Sequence, residues 1–176
     1  GHLTEPVTPM VIVEESVAEG AEFAPGADWA YSNTNFILLG MITELATGQA
    51  WHEVARERLW DPLGLEDTWL ESAEDGGAIV RGHLGGIEIT DAYDASWGWP
   101  SGGVVSTTAE LMTWLRALHD GEVLQEAELT RMLTDSGDGY GMGMYLTQSP
   151  QGRYVGHTGS TQGFNADLFV LEATGA

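Results

Sequence analysis

The apolar residues of this chain change period near residue 137, and that change restricts the fold more than any other feature. Upstream, the spacing is helical. In "NTNFILLGMITELATGQ", Leu38, Met41, Ile42 and Leu45 fall at i, i+3, i+4 and i+7, and Gly48 supplies a stop. Thr8 and Pro9 mark another helix start, with Gly20 just past its end. "AWHEVARERLW" reads as a third helix, ended by Asp61-Pro62 and turned at Gly64. "TTAELMTWLRALHDG" opens on a capping box of Thr107 and Glu110 and carries Leu111, Met112, Leu115 and Leu118 on one face. "EAELTRML" is a short helix. One hairpin is expected in this part, in "AIVRGHLGGIEIT" around Gly85-Gly86, and "SWGWPSGGVVS" is expected to be a loop. Downstream, "YGMGMYLTQ", "GRYVGH" and "ADLFVLEA" are β-like runs between turn residues, spaced as an antiparallel meander. Helices first and strands last imply an α+β fold: a mostly helical subdomain over 1–136 and antiparallel strands over 137–176.

The length of 176 residues suits one domain, or one domain and part of another, since such a chain buries roughly 70% of its unfolded surface. A hydrophobic fraction of 43% with seven Trp is too apolar for disorder. Charge is lopsided: 27 Asp and Glu face six Arg and no Lys, a formal net charge of -21. That excess repels phosphate backbones and anionic lipid, so nucleic acid and membrane surfaces are not expected partners. Hydration in a salty environment is the simplest account of it. No apolar run reaches the ~20 residues of a membrane span, and no signal-peptide pattern is present. The leading Gly1-His2 has the look of a cloning remnant. The absence of Cys excludes disulfides, a thiol nucleophile and a thiolate metal site, and leaves the redox compartment open. Five His lie scattered without ligand spacing, so neither a metal nor another cofactor is expected.

Gly-x-Ser-x-Gly, His-Glu-x-x-His and a phosphate-binding loop are all missing. Two short stretches remain. Tyr31-Ser32-Asn33, taken alone, reads equally as the cap of the helix that follows, and His157-Thr158-Gly159 as a turn before a strand. Their wider contexts, "FAPGADWAYSNTNFILLGMITELATG" and "YVGHTGSTQGFNADLFV", with "GGVVSTTAELMTWLRAL" between them, resemble the serine β-lactamase and D-alanyl-D-alanine carboxypeptidase family. The likeness is nearest to class C β-lactamases and to the peptidases and esterases of that group, and runs from about Phe23 to Val170. Tyr31-Ser32-Asn33 matches the family's Tyr-x-Asn motif, and His157-Thr158-Gly159 its Lys/His-Thr-Gly motif.

The resemblance implies a β-lactamase/transpeptidase-like fold and acyl transfer through a serine ester, a chemistry that needs a base, an oxyanion site and a means of holding the scissile amide. Tyr31 is then the general base and acid. A free tyrosine ionises near pH 10, so nearby positive charge has to assist it. His157 occupies the position that supplies such charge, and a histidine is cationic only below about pH 6.5 unless an acidic neighbour intervenes. Asn33 would donate its amide to the substrate carbonyl, Thr158 contact the substrate carboxylate, Gly159 allow close backbone approach, and Ser160 offer its N–H to the oxyanion and to a strand-like substrate. Tyr154, Gln162 and Asn165 are near in sequence but receive no role. Implied substrates are β-lactams, D-Ala-D-Ala or other peptidoglycan-like peptides, and related amides or small esters.

In one respect the chain departs from the family. The nucleophile there is the serine of Ser-x-x-Lys, and this chain has no Lys. The expectation is a fragment whose sheet is incomplete, inactive alone, with a parent protein exported or in the cell envelope and with unpaired strands that favour a homo-oligomer. A carboxylesterase, or a non-catalytic homologue that binds peptides or serves assembly, remains open as an alternative.

Overall fold

In the computed structural model, which describes residues 3–136, 138–161 and 163–175, the local signals of the sequence become elements close to where they are expected. Helix α1 (Pro9–Glu19) starts after an extended Thr8 and ends at Gly20. Helix α2 (Asn33–Thr47) ends at Gly48, whose N–H returns to the Glu44 carbonyl. Helix α3 (Trp51–Ala55) widens into a π turn over Arg56–Trp60, closed by the Asp61 N–H on the Arg56 carbonyl at 2.9 Å. A two-residue strand β1 (Trp69–Leu70) follows. The expected hairpin is β2 (His83–Leu84) with β3 (Ile87–Glu88), Leu84 opposite Ile87. Gly85 and Gly86 both have positive φ, 59° and 82°, the pairing a two-residue turn of matching twist demands and side-chain-bearing residues resist. The segment expected to be loop contains a short helix α4 (Trp99–Gly102) and a strand β4 (Val104–Val105) paired antiparallel with β1. Then come α5 (Thr108–His119), α6 (Glu126–Met132) and the strands β5 (Tyr145–Ser149), β6 (Gly152–Thr161) and β7 (Phe164–Leu171).

The composition changes near residue 137, but the compact units divide after Ser106. One holds residues 1–106 with Thr161–Phe164; the other holds Thr107–Ser160 and Asn165–Ala176. In the first unit the core gathers Ile37, Val54, Trp60, Leu65, Trp69 and Leu70. Arg56 ties its parts together: the guanidinium bonds Glu74 and the Thr68 carbonyl and lies 5.1 Å from the centre of the Trp60 ring, while Glu74 accepts the Leu70 N–H at 2.8 Å. Helix α2 turns Ile37 and Gly40 inward, and an added Cβ at Gly40 would meet the Pro100 ring at 2.8 Å. Its most regular apolar stripe is elsewhere, since Ile42 is 57% and Leu45 88% exposed.

In the second unit one face of the sheet, order β5-β6-β7, packs on α5 and α6. Thr107 accepts the Glu110 N–H at 3.2 Å and starts α5 as its cap. From there Leu115 and Leu118 reach Met144, Leu146, Val155 and Val170, with Leu129, Met132 and Leu133 of α6 and its C-terminal flank closing the side. Strands and the last two helices thus share one hydrophobic core.

The end of β7 is held by charge. Arg153 binds Glu172 through both its Nε, at 2.8 Å, and an Nη, and also donates to the Leu133 carbonyl. His119 places Nε2 2.8 Å from the Glu172 carbonyl and Nδ1 2.8 Å from the Asp120 carboxylate. Two acceptors face its two nitrogens, so the imidazolium satisfies both. The backbone bond to Glu172 and then Asp120 accordingly raise the His119 pKa above its ordinary value, and the Arg153 guanidinium lowers that of Glu172. The signs give a window. The His119 contribution is complete below about pH 6.5 and is lost as pH rises through the higher folded value; that of Glu172 is present above its usual carboxylate range and is lost as pH falls through the lowered one. The unfolding free energy is expected to fall on the alkaline side of 6.5, by an amount on the order of 1 kcal/mol because the Asp120 end of the pair is exposed. His119→Gln should flatten that limb relative to the parent. Parallel curves for the two proteins would remove His119 as the cause.

Candidate active site

Tyr31 and Asn33 flank the entrance of α2. Ser32 sits at the N-cap in extended conformation, φ -145° and ψ 121°, yet its hydroxyl makes no capping bond. The tripeptide is therefore more than a cap: the Tyr31 hydroxyl donates to Asn33 Oδ1 at 3.0 Å, and the Tyr31 ring leans on Phe36 with centroids 6.5 Å apart. With Oδ1 accepting from Tyr31, the amide NH2 is the donor end of Asn33. Tyr31 is 41% exposed, accessible to a ligand from solvent.

His157, Thr158, Gly159 and Ser160 are consecutive residues of β6, which continues to Thr161. The stretch is strand, not turn. Its partner β5 begins at Tyr145, opposite Gly156. Beyond that register point β6 runs on with β7 at one side, and among the described residues no strand lies along the other edge of 158–161. Thr158, Gly159 and Ser160 are exposed. A backbone in this state can accept an extended peptide as an additional strand.

The two glycines of the stretch differ physically. A Cβ on Gly156 would stand 2.0 Å from the Leu168 carbonyl oxygen and 2.6 Å from Phe169 Cα, so the close passage of β6 over β7 requires glycine there. Among the described residues a Cβ on Gly159 would meet only Ala166, its Cβ at 3.7 Å and its carbonyl oxygen at 4.0 Å, ordinary contact distances. Packing against the described residues does not explain Gly159.

Around His157 stands a group that the sequence reading passed over. The buried Tyr140 places its hydroxyl 2.9 Å from His157 Nε2, and its ring meets that of Tyr145 edge-on at 4.9 Å. The His157 ring lies 4.8 Å from Tyr145, and Nδ1 contacts the Thr158 carbonyl. The signal was present in "YGMGMY", two tyrosines five apart, but the run was read as continuous strand. Instead the chain turns between an isolated bridge at Tyr140 and the start of β5.

Tyr31 and Asn33 are thus brought together in the first unit, and the β6 residues in the second. Tyr154 lies on β6 and Asn165 on β7, while Gln162 falls outside the described residues. A cleft of about 480 Å³ in the second unit, lined by Leu129, Leu133, Thr134, Arg153 and Glu172 among others, contains none of these residues. Its guanidinium is engaged by Glu172, and the acidic Glu126 and Asp135 also line the cleft. Among the described residues no three His, Asp or Glu side chains gather as metal ligands, and no helix is long and apolar enough to cross a membrane.

Comparison with known proteins adds context to this geometry. Residues 6–175 match the family model described as Beta-lactamase. Penicillin-binding protein 4* of Bacillus subtilis (strain 168) is 24% identical over 88% of this chain and 40% of its own length. The crystal structure of a D-stereospecific amidohydrolase from Streptomyces sp. superposes with a TM-score of 0.87 at 27% identity, covering 99% of this chain and 56% of that one. A D-amino acid amidase from Ochrobactrum anthropi SV3, complexed with L-phenylalanine amide, gives 0.85 at 28% identity, covering 97% of this chain and 55% of that one. The chain spans about half the length of such relatives.

Proposed function

The chain belongs to the Beta-lactamase family, and from that premise we propose that it supplies the substrate-binding edge and the proton-transfer residues of a serine amidohydrolase acting on D-amino acid amides or D-Ala-D-Ala-type peptides. The observation that carries the proposal is the open edge of β6 after Gly156, where Gly159 has room for a methyl group that its own fold does not refuse. A substrate backbone laid along Thr158–Ser160 would need that space. Relatives described as a D-amino acid amidase and a D-stereospecific amidohydrolase support the choice of amide over lactam.

In the proposed reaction a serine oxygen attacks the amide carbonyl while Tyr31 takes the hydroxyl proton. The tetrahedral oxyanion forms near the Ser160 N–H. Collapse breaks the C–N bond as Tyr31 returns the proton to the leaving amine, and water then repeats the sequence on the ester. Asn33 holds the acyl-side carbonyl through its NH2, Thr158 holds the terminal carboxylate or carbonyl, and His157 sets the local charge. The serine has to come from a Ser-x-x-Lys segment, which a chain without Lys does not contain. The isolated chain is accordingly expected to form no acyl adduct with a fluorescent penicillin.

The test is the full reading frame that encodes this chain, assayed with D-phenylalanine amide, nitrocefin and short p-nitrophenyl esters. Amide hydrolysis with a D preference is the expected result; turnover of esters alone would favour a carboxylesterase, and the absence of any acyl-enzyme a binding protein. Gly159→Ala should lower kcat/KM for the amide by about tenfold or more, while the unfolding free energy changes by no more than about 0.5 kcal/mol.

A further inference from the structure

We infer that Trp99 is a positioning residue: its indole wedges the corner 98–103 against α2 and so fixes Tyr31 and Asn33, at the entrance of that helix, relative to Thr161 at the end of β6. The roles of those groups rest on the proposed function; how they are held rests on the first unit alone, which contains all of them. The backbone at Trp99 is the starting point. Its φ is 36°, a left-handed value that a bulky side chain resists, and the proline that follows narrows its choices further. Among the described residues thirteen glycines take positive φ, and the one other residue to do so is Asp138, a type that tolerates the conformation. Glycine serves this backbone elsewhere in the chain, so what position 99 gains from tryptophan is the side chain. Filling a core does not account for it, because Trp99 is only partly buried.

A Cβ added to Gly40 would stand 2.8 Å from the Pro100 ring and 3.0 and 3.3 Å from Cζ3 and Cη2 of Trp99, so this pair sits directly on the bare backbone of α2. The indole also meets Trp51 edge-on, 6.3 Å between centroids. The corner is closed by its own bonds. The N–H and the hydroxyl of Ser101 both donate to the Gly98 carbonyl, at 2.8 and 2.7 Å, and the Gly103 N–H donates to the Trp99 carbonyl at 2.9 Å. Gly98 and Gly103 stand back to back, a Cβ on the first only 2.6 Å from the nitrogen of the second. The result is a stiff piece of chain, and Gly102 within it lies against the strand end: a Cβ there would be 3.6 Å from Thr161 Cγ2. The corner thus bears on α2 at one point and on the last residue of β6 at another. Asn33 lies about two turns from Gly40 along α2, so a helix seated at Gly40 carries Tyr31 and Asn33 to a set distance from Thr161. Backbone strain of this kind persists only where the surroundings over-determine it, and it gathers where functional groups have to be held still.

Two sets of measurements separate this inference from the reading of function. On the chain itself, nuclear Overhauser contacts are expected between the Trp99 indole protons and the Gly40 α-protons, and between the Gly102 α-protons and the Thr161 methyl. A parent spectrum lacking either contact would overturn the assignment, whatever the variants do. Trp99→Ala and Trp99→Gly lose the same ring, yet the glycine variant is expected to melt about 2–4 °C higher, the reverse of the order at an ordinary helical position. Equal melting, or a more stable alanine variant, would remove the strain on which the assignment stands. The second set is kinetic, on the full reading frame with D-phenylalanine amide. Trp99→Gly is expected to lower kcat about 10- to 100-fold while KM stays within about threefold, as misplacement of catalytic groups does. Trp99→Phe, which keeps an aromatic wedge, should recover most of that loss. A folded Trp99→Gly variant with parental kcat would make Trp99 a packing residue and sink the inference. A full reading frame devoid of hydrolase activity would refute the function while leaving the spectra and the melting order standing.

Discussion

Gly156→Ala is expected to unfold the second compact unit or leave it with a small fraction of its stability. The reason lies in which atoms the new methyl would strike. Leu168 O at 2.0 Å and Phe169 Cα at 2.6 Å are backbone, so no rotamer change relieves the overlap. Relief requires β6 and β7 to part, and with them Val155 and Val170, which are 3% and 0% exposed in the core against α5. Overpacking a side chain costs typically 1–3 kcal/mol; displacing two paired strands should exceed about 3 kcal/mol, against a total stability of order 5–15. Urea unfolding followed by far-UV circular dichroism measures it. The comparison with Gly159→Ala makes the test sharp, because the two substitutions are identical in chemistry and three residues apart. Equal destabilisation of both variants would show that the two strands do not approach most closely at Gly156.

The largest effect on activity is expected at Tyr31. In the full reading frame, Tyr31→Phe should reduce kcat/KM for a D-amino acid amide by about 10²–10⁴-fold, the range for loss of a general acid–base group, or about 3–5 kcal/mol of transition-state stabilisation. Folding should be nearly unchanged. The residue is 41% exposed, and the variant keeps its ring against Phe36. Single-turnover acylation isolates the step, since proton removal from the serine and proton delivery to the leaving amine both pass through the same oxygen. A variant retaining more than about one-tenth of parental acylation would assign the proton transfer to some other group.

Much of the local structure was legible because it depends on local chemistry. Thr8-Pro9 and Gly20 bound α1, Gly48 stops α2, Gly85-Gly86 turns the hairpin and Thr107 caps α5; each acts through backbone geometry or one short hydrogen bond, which neighbouring residues alone determine. Readings that depended on distant partners fared differently. The spacing of Leu38, Ile42 and Leu45 correctly announced a helix, but it could not say that Ile37 and Gly40 would be the residues turned inward, because that is decided by Trp99 and Pro100 some sixty positions away. "GHTGST" has weak strand propensity and is nonetheless strand, because β7 supplies a hydrogen-bonding partner along it. Tyr140 was missed for the same reason. Nothing beside it in sequence indicates that its hydroxyl meets a histidine seventeen residues on.

The open edge of β6 carries a risk that its composition answers. An uncovered strand invites its own kind, and the runs that assemble irreversibly are apolar, β-branched and uncharged. From Thr158 to Thr161 this edge offers Thr, Gly, Ser and Thr, with no large apolar side chain to interlock with a second sheet and a glycine to weaken the pairing. If the proposed function holds, a reversible grip on a peptide substrate and resistance to fibre growth are the same property of the same four residues.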